Sequence, residues 1–304
     1  MKANLNRIID GTILSVLFLT IFVYAIFGVQ WFFNNSLREP TQEVFLGSIS
    51  CAPTDIIIPE GEIFSEVNAD SVISVESDLK NINKIIFSKD SDKKLPIASL
   101  TKLMTAIIVL DNYNLSDTFL VSTRADSMAP IEHDVKAGDV MTVKNFLYIM
   151  LVGSSNRSAY TLSELAGEQK FVELMNKKAE ELGMKDTLFA DPTGLHPQNI
   201  STANDLANLA IYILKDYPGI AEMSRIKELY IPGFGNVVNT DELLDEIPNI
   251  VCSKTGFTKI AKGCLLLVVN NPKNNDYLIN VILGADNRFF EMKKLINFSS
   301  KICQ

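Results

Sequence analysis

At 304 residues, 47% hydrophobic and 21% charged, the chain is long enough for one large domain with accessory segments and can bury a substantial core. A formal net charge of -8, an isoelectric point near 5.0 and the lack of any basic stripe argue against nucleic acid as a partner. Two histidines, His133 and His196, and four cysteines, Cys51, Cys252, Cys264 and Cys303, fit no zinc-binding spacing, so neither a metal nor another cofactor is expected. Both histidines read as surface or loop residues without an acidic partner.

From residue 11 to residue 37 there is no charge, and 13–29 is almost wholly apolar. The uncharged run exceeds the roughly 20 residues that cross a hydrocarbon core, which predicts a transmembrane helix over 11–33. Lys2, Arg7 and the amino terminus precede it against Asp10 alone. The positive-inside rule then keeps 1–10 in the cytoplasm and places the rest outside, as a single-pass membrane protein. A cleaved signal peptide is the alternative, but the run is long for one and Val29-Gln30-Trp31 offers no small-x-small site. All four cysteines fall on the exported side, where disulfides are permitted but not demanded. Residues 34–67 read as a polar linker around a short apolar patch at 56–58.

The remaining 68–304 is predicted to be one catalytic domain. Runs 71–75 and 84–87 are β-prone and form a hairpin across a polar turn. After Pro96, an amphipathic helix over 99–112 buries Leu103, Met104, Ile107, Ile108 and Leu110. Helices 143–151 and 159–166 flank a break at Gly153-Ser154-Ser155-Asn156, and helices 171–182, closed by Gly183, and 203–214 follow. Strands return at 250–255, 264–269 and 278–283 before a final helix over 291–301. Strands at both ends with helices between them imply one sheet built from both termini, an α+β fold. Hairpin pairing around 259–262 puts Cys264 nearer Thr255 than Cys252, so both are expected to be free thiols.

Three motifs carry the chemistry. Ser99-Leu100-Thr101-Lys102 places a hydroxyl and an amine on one face of a helix start. Lys102, kept from water and near other cations, has its pKa lowered enough to take the serine proton. The Ser-x-x-Lys pattern recurs elsewhere, at Ser91 and Ser224 for instance, but only Ser99 has a buried helix behind it. Taken alone, Ser99 reads as a helix cap. Ser154-Ser155-Asn156 offers a second hydroxyl and an amide from an inter-helix break, where the competing role for Asn156 and Ser158 is capping the next helix. Lys254-Thr255-Gly256 lies on a strand, and a glycine there lets a substrate backbone approach. In this order the three make a serine acyl-transfer site that works without histidine.

With these motifs the chain resembles the serine D-Ala-D-Ala carboxypeptidases, the low-molecular-weight penicillin-binding proteins of peptidase family S11. The likeness covers roughly residues 68–300. It extends to Asn68-Ala69-Asp70, Leu95-Pro96-Ile97-Ala98, Leu103-Met104-Thr105 and Ala137-Gly138-Asp139. Asp191-Pro192-Thr193-Gly194-Leu195, Ser201-Thr202-Ala203 and the continuation Phe257-Thr258 belong to it as well. The resemblance implies a penicilloyl-serine-transferase (β-lactamase/transpeptidase-like) fold, an antiparallel sheet beside a helical subdomain. It also implies the roles. Ser99 is acylated by the penultimate D-Ala carbonyl, Lys102 takes its proton, and Ser154 relays the proton to the leaving D-Ala while Asn156 positions the substrate amide.

By the same resemblance, Lys254, Thr255 and Arg288 hold the terminal carboxylate beside Gly256, and the N–H groups of Ser99 and Phe257 form the oxyanion hole. The expected substrate is a peptidoglycan stem peptide ending in D-Ala-D-Ala, with β-lactams as covalent inhibitors, on the outer side of a bacterial cell membrane. The alternative substrate is a peptidoglycan cross-link, cut by a D,D-endopeptidase. A class A β-lactamase would need a deacylating glutamate, and Glu164, Glu168 and Glu173 lack the loop context expected for one. An inactive wall-binding or penicillin-sensing module has no reason to keep all the motif residues. Two departures stand out: Ser155 where glycine is common, and Arg157 where an acid often follows the asparagine. The family's frequent C-terminal β-rich domain and membrane-binding tail are not expected here, leaving the N-terminal helix as the anchor.

Overall fold

Near-continuous apolar runs at the carboxyl-terminal end build the centre of the molecule. The computed structural model describes residues 67–271, 274 and 276–302. The predicted segments 1–10 and 11–33, nearly all of the linker 34–67, and Cys51 and Cys303 lie outside the described residues. Among the described residues, no helix is long and apolar enough to cross a membrane.

Strands β1 (Ser71–Ser77) and β2 (Ile82–Lys89) form the expected hairpin. They join β3 (Ile250–Thr258), β4 (Lys262–Asn270) and β5 (Tyr277–Ala285) in one antiparallel sheet of order β2-β1-β5-β4-β3. Every residue from Gly263 to Val269 of β4 is buried, because the sheet is covered on both faces and alternation no longer separates core from solvent. Leu266, Val268, Ile279 and Val281 pack into the helical side, whereas Leu265, Leu267 and Ile282 pack against the last helix. The register of β1 on β5 is pinned by a buried polar pair, Ser74 Oγ donating to Asn280 Oδ1 at 2.7 Å.

On the helical side lie α1 (Thr101–Asn112), α2 (Val143–Leu151), α3 (Asn156–Glu164), α4 (Glu168–Glu181), α5 (Ala203–Asp216) and α6 (Pro218–Ser224). On the other face lies α7 (Arg288–Ile302), held by Met292, Leu295 and Phe298. Full burial of such side chains contributes about 1.5–3 kcal/mol each, which fixes the helix that begins at Arg288.

Three differences from the sequence reading are physical. Helix α1 is not amphipathic toward water: Thr101 to Val109 are all buried, because its polar side faces a protein wall instead of solvent. Helix α3 starts three residues earlier than 159, at Asn156, because Ser155 caps it. Helix α6 is too short for periodicity to reveal, although Pro218 at its first position marks it. Cys264 lies opposite Gly256 and Cys252 opposite Val268, and both are free and buried, as expected.

Candidate active site

Three elements converge on Ser99: the turn before α1, the break between α2 and α3, and the edge strand β3. Ser99 sits in a 3₁₀ turn, Ala98–Leu100, whose first residue has φ +47°, a left-handed conformation that non-glycine residues adopt only under constraint. Two close neighbours supply that constraint. A Cβ on Gly194 would lie 2.0 Å from the Ala98 carbonyl oxygen, and one on Gly256 would lie 3.0 Å from the Ser99 nitrogen. A loop and a strand thus clamp the turn from two sides. No side-chain cap bond is made at the start of α1, so capping does not explain Ser99.

Lys102, one turn further on, is fully buried. Its Nζ donates to Ser99 Oγ at 2.8 Å, to Asn156 Oδ1 at 2.8 Å and to the Thr193 carbonyl at 2.7 Å. Burial pushes its pKa well below the ordinary lysine value, and the neighbouring Lys254 charge adds to this, while Asp191 and Asp134 oppose both. Once neutral, the amine has a lone pair to offer along the Ser99 bond and keeps donors for Asn156 and Thr193.

The Thr193 carbonyl is a partner that the sequence reading did not assign. It is aimed by Asp191, whose Oδ1 accepts from the N–H groups of Thr193 at 2.8 Å and Gly194 at 2.6 Å and from Asn199 Nδ2 at 2.8 Å. The run Asp191-Pro192-Thr193-Gly194 has the turn chemistry for this, an acceptor that bonds its own following backbone.

In the α2–α3 break, Ser154 has φ +63° and its Oγ accepts from Lys254 Nζ at 3.0 Å. Ser155 is the cap of α3, accepting from the Ser158 N–H at 2.9 Å, and its hydroxyl donates to buried Asp134 at 2.6 Å. Capping therefore belongs to Ser155, which leaves Asn156 free for the site, where its Nδ2 donates to the Ala129 carbonyl at 2.9 Å. Arg157 points away: it pairs with Asp126 and donates to the carbonyls of Met128 and Val135.

Lys254 is buried on β3, and desolvation, reinforced by the Arg288 charge and opposed by Asp241, lowers its pKa to about 7. Thr255 Oγ1 shares a hydrogen bond with Thr240 Oγ1. Arg288 Nη1 donates to the Gly256 carbonyl at 3.3 Å, and its buried Nε has no partner. Phe257 is exposed at the end of this edge strand. Two cations, Lys254 and Arg288, and the Lys102 amine are thus gathered around two hydroxyls, an arrangement suited to an anionic substrate and an acyl transfer.

The Ser-x-x-Lys pairs at Ser91 and Ser224 are built into structure elsewhere. Lys94 pairs with Asp186 and Lys227 with Asp245, while Ser224 Oγ donates to the Ala221 carbonyl. His133 and His196 are exposed, with His133 Nε2 at 2.8 Å from the Phe234 carbonyl oxygen. Glu164 accepts from Ser122, Glu168 pairs with Arg124 and Glu173 with Lys170. Among the described residues no group of three His, Cys, Asp or Glu could hold a metal ion.

The model of the peptidase S11 family, described as D-alanyl-D-alanine carboxypeptidase, matches residues 59–287. The chain is 32% identical over 268 residues to the D-alanyl-D-alanine carboxypeptidase DacF of Bacillus subtilis, covering 83% of this chain and 67% of that one. It is 36% identical over 223 residues to the D-alanyl-D-alanine endopeptidase of Pseudomonas aeruginosa, covering 69% and 70%. Among solved structures, penicillin-binding protein D2 of Listeria monocytogenes in its ampicillin-bound form superposes with a TM-score of 0.69 at 25% identity, over 78% of this chain and 99% of that one.

Proposed function

Because the chain belongs to the peptidase S11 family of D-alanyl-D-alanine carboxypeptidases and is a serine enzyme of that kind, we propose that it removes the terminal D-Ala of peptidoglycan stem peptides through an acyl-enzyme on Ser99. The observation that carries the assignment is the buried Lys102 amine, bonded at once to Ser99 Oγ, Asn156 Oδ1 and the Thr193 carbonyl.

Neutral Lys102 takes the Ser99 proton as Oγ attacks the penultimate D-Ala carbonyl. The N–H groups of Ser99 and Phe257 are assigned as the oxyanion hole, where fixed donors act most strongly because they need no reorganisation. Ser154 relays the proton taken up by Lys102, giving its own to the departing D-Ala amine and receiving that of Lys102, with Lys254 bonded behind its hydroxyl. Lys254, Thr255 and Arg288 hold the terminal carboxylate, and the unpartnered Arg288 Nε gains an acceptor when that group arrives. Asn156 orients the scissile amide. Water then releases the shortened peptide from Ser99, completing two half-reactions at one oxygen.

β-Lactams, which present a reactive amide beside a carboxylate, acylate the same serine. Glu164, Glu168 and Glu173 are each engaged with a surface partner, which supports slow deacylation over β-lactamase turnover. The uncharged apolar segment 11–33 supports anchoring in a bacterial cell membrane with the catalytic domain, 68–304, outside. A second reading, cleavage of D-Ala cross-links, is favoured by the 36% identity to an endopeptidase. Incubation with a pentapeptide ending in D-Ala-D-Ala and with a cross-linked dimer separates the two. The carboxypeptidase reading predicts D-Ala release that Ser99→Ala abolishes, and faster cleavage of the dimer than of the pentapeptide would replace it with the second.

A further inference from the structure

The segment 239–241 runs beside β3 and is stitched in place. Asn239 Nδ2 donates to the carbonyls of Ser224 and Ile226, the Thr240 N–H donates to the Val152 carbonyl, and Thr240 shares its hydroxyl bond with Thr255. This places Asp241, 4% exposed, next to the strand that carries Lys254. One carboxylate oxygen accepts from Ser253 Oγ and the other from the Leu243 N–H at 3.0 Å. Burial raises the Asp241 pKa above the ordinary carboxylate value, and the Ser253 and Leu243 donors, with the Arg288 and Lys254 charges, oppose that rise and favour the ionised form.

Lys254 and Arg288 crowd the substrate side next to the Lys102 amine, and repulsion between like charges is severe in a dry cleft. Arg288 depresses Lys254, and Lys254 depresses Lys102. Each of the three groups has an opposing charge nearby, and Asp241 serves two of them. Lys102 is opposed by Asp191 and Asp134, and Arg288 by Asp241 and exposed Glu242. Among the described residues, the opposing charge for Lys254 is Asp241. We propose that Asp241 is a positioning residue that holds a fixed negative charge beside β3, so that Lys254 and Arg288 remain cationic together and capture the substrate carboxylate. This rests on the reading of Lys254 and Arg288 as the carboxylate anchor.

The sign follows from Lys254. It is cationic below its pKa of about 7 and loses the proton above it. Removing the Asp241 charge makes that proton leave at lower pH. The alkaline limb of kcat/KM, which reports free-enzyme groups, moves toward acid.

The test measures D-Ala release from a peptide ending in D-Ala-D-Ala across pH 5 to 9 by wild type, Asp241→Asn, Asp241→Ser and Ser253→Ala. In the two neutral variants the alkaline limb is expected to shift acidward by about one unit, giving about a tenfold loss of kcat/KM at pH 8 and less than about a twofold loss at pH 5.5. Ser253→Ala keeps the charge and retains the wild-type limb. Equal loss at every pH, an unmoved limb in whichever neutral variant folds, or the same shift in Ser253→Ala overturns the proposal. Wild-type protein that neither releases D-Ala nor takes up penicillin would overturn the parent reading instead.

Discussion

Gly194 is far from the reacting atoms in sequence, yet replacing it with alanine should disable Ser99. The added Cβ would lie 2.0 Å from the Ala98 carbonyl oxygen, 2.4 Å from its carbon and 2.9 Å from the Ser99 nitrogen. All three are backbone atoms, so no side-chain rotation relieves the overlap. Restoring an ordinary separation moves the loop and the serine turn apart by about 1 Å, and a misplacement of that size lowers an enzymatic rate by about 10²-fold. The backbone adds its own penalty, since φ at Gly194 is +88° and a left-handed L-residue costs about 1–2 kcal/mol. The movement also draws the Thr193 carbonyl away from Lys102, loosening the bond at 2.7 Å. The assay is the second-order rate of penicillin acylation, paired with thermal unfolding. A loss of about 10²-fold in acylation and about 2–4 °C or more in Tm is expected. Wild-type acylation in Gly194→Ala would refute the idea that this contact positions Ser99.

Three further outcomes are expected. The Lys254 pKa falls from 10.5 to about 7 on folding, so its charged form weakens the fold fully below pH 7, and stability is regained as pH rises through 7 toward 10.5. Lys254→Met should therefore raise Tm at pH 6 and flatten that pH dependence while impairing turnover, and an unchanged pH–stability curve by calorimetry would count against a buried charge. Ser155→Ala removes the α3 cap and the bond to Asp134, which should cost about 1–2 kcal/mol in denaturant unfolding, and a neutral result would show that Ser155 does not hold the turn. Burial pushes the Cys252 thiol up to about 11 and Cys264 to about 12, so both should resist alkylation at pH 8 until the protein is unfolded, and a Cys252–Cys264 peptide in a non-reducing map would contradict this.

The motif residues were legible because their spacing carries meaning: Ser99 and Lys102 share a helical face, and the apolar runs at 264–269 and 278–283 are too short for helices and too apolar for loops. What escaped the sequence depends on tertiary contact. The polar side of α1 reads as a solvent face until the Asp191–Asn199 loop is seen lying on it, with Thr105 Oγ1 donating to the Pro192 carbonyl at 2.7 Å. Asp134 and Asp241 look like ordinary acidic loop residues, since nothing in their neighbourhood foretells burial beside a lysine-bearing site. The capping contest at Ser155, Asn156 and Ser158 is equally undecided by local propensity. It is settled by Lys102, which claims Asn156 from 54 positions away.

The most direct measurement is mass spectrometry of the protein after incubation with penicillin at neutral pH, followed by proteolytic mapping. A single penicilloyl adduct is expected on the peptide containing Ser99, absent in Ser99→Ala and formed far more slowly in Lys102→Ala. An adduct on Ser91 or Ser224, or one that persists in Ser99→Ala, would contradict the assignment of the nucleophile.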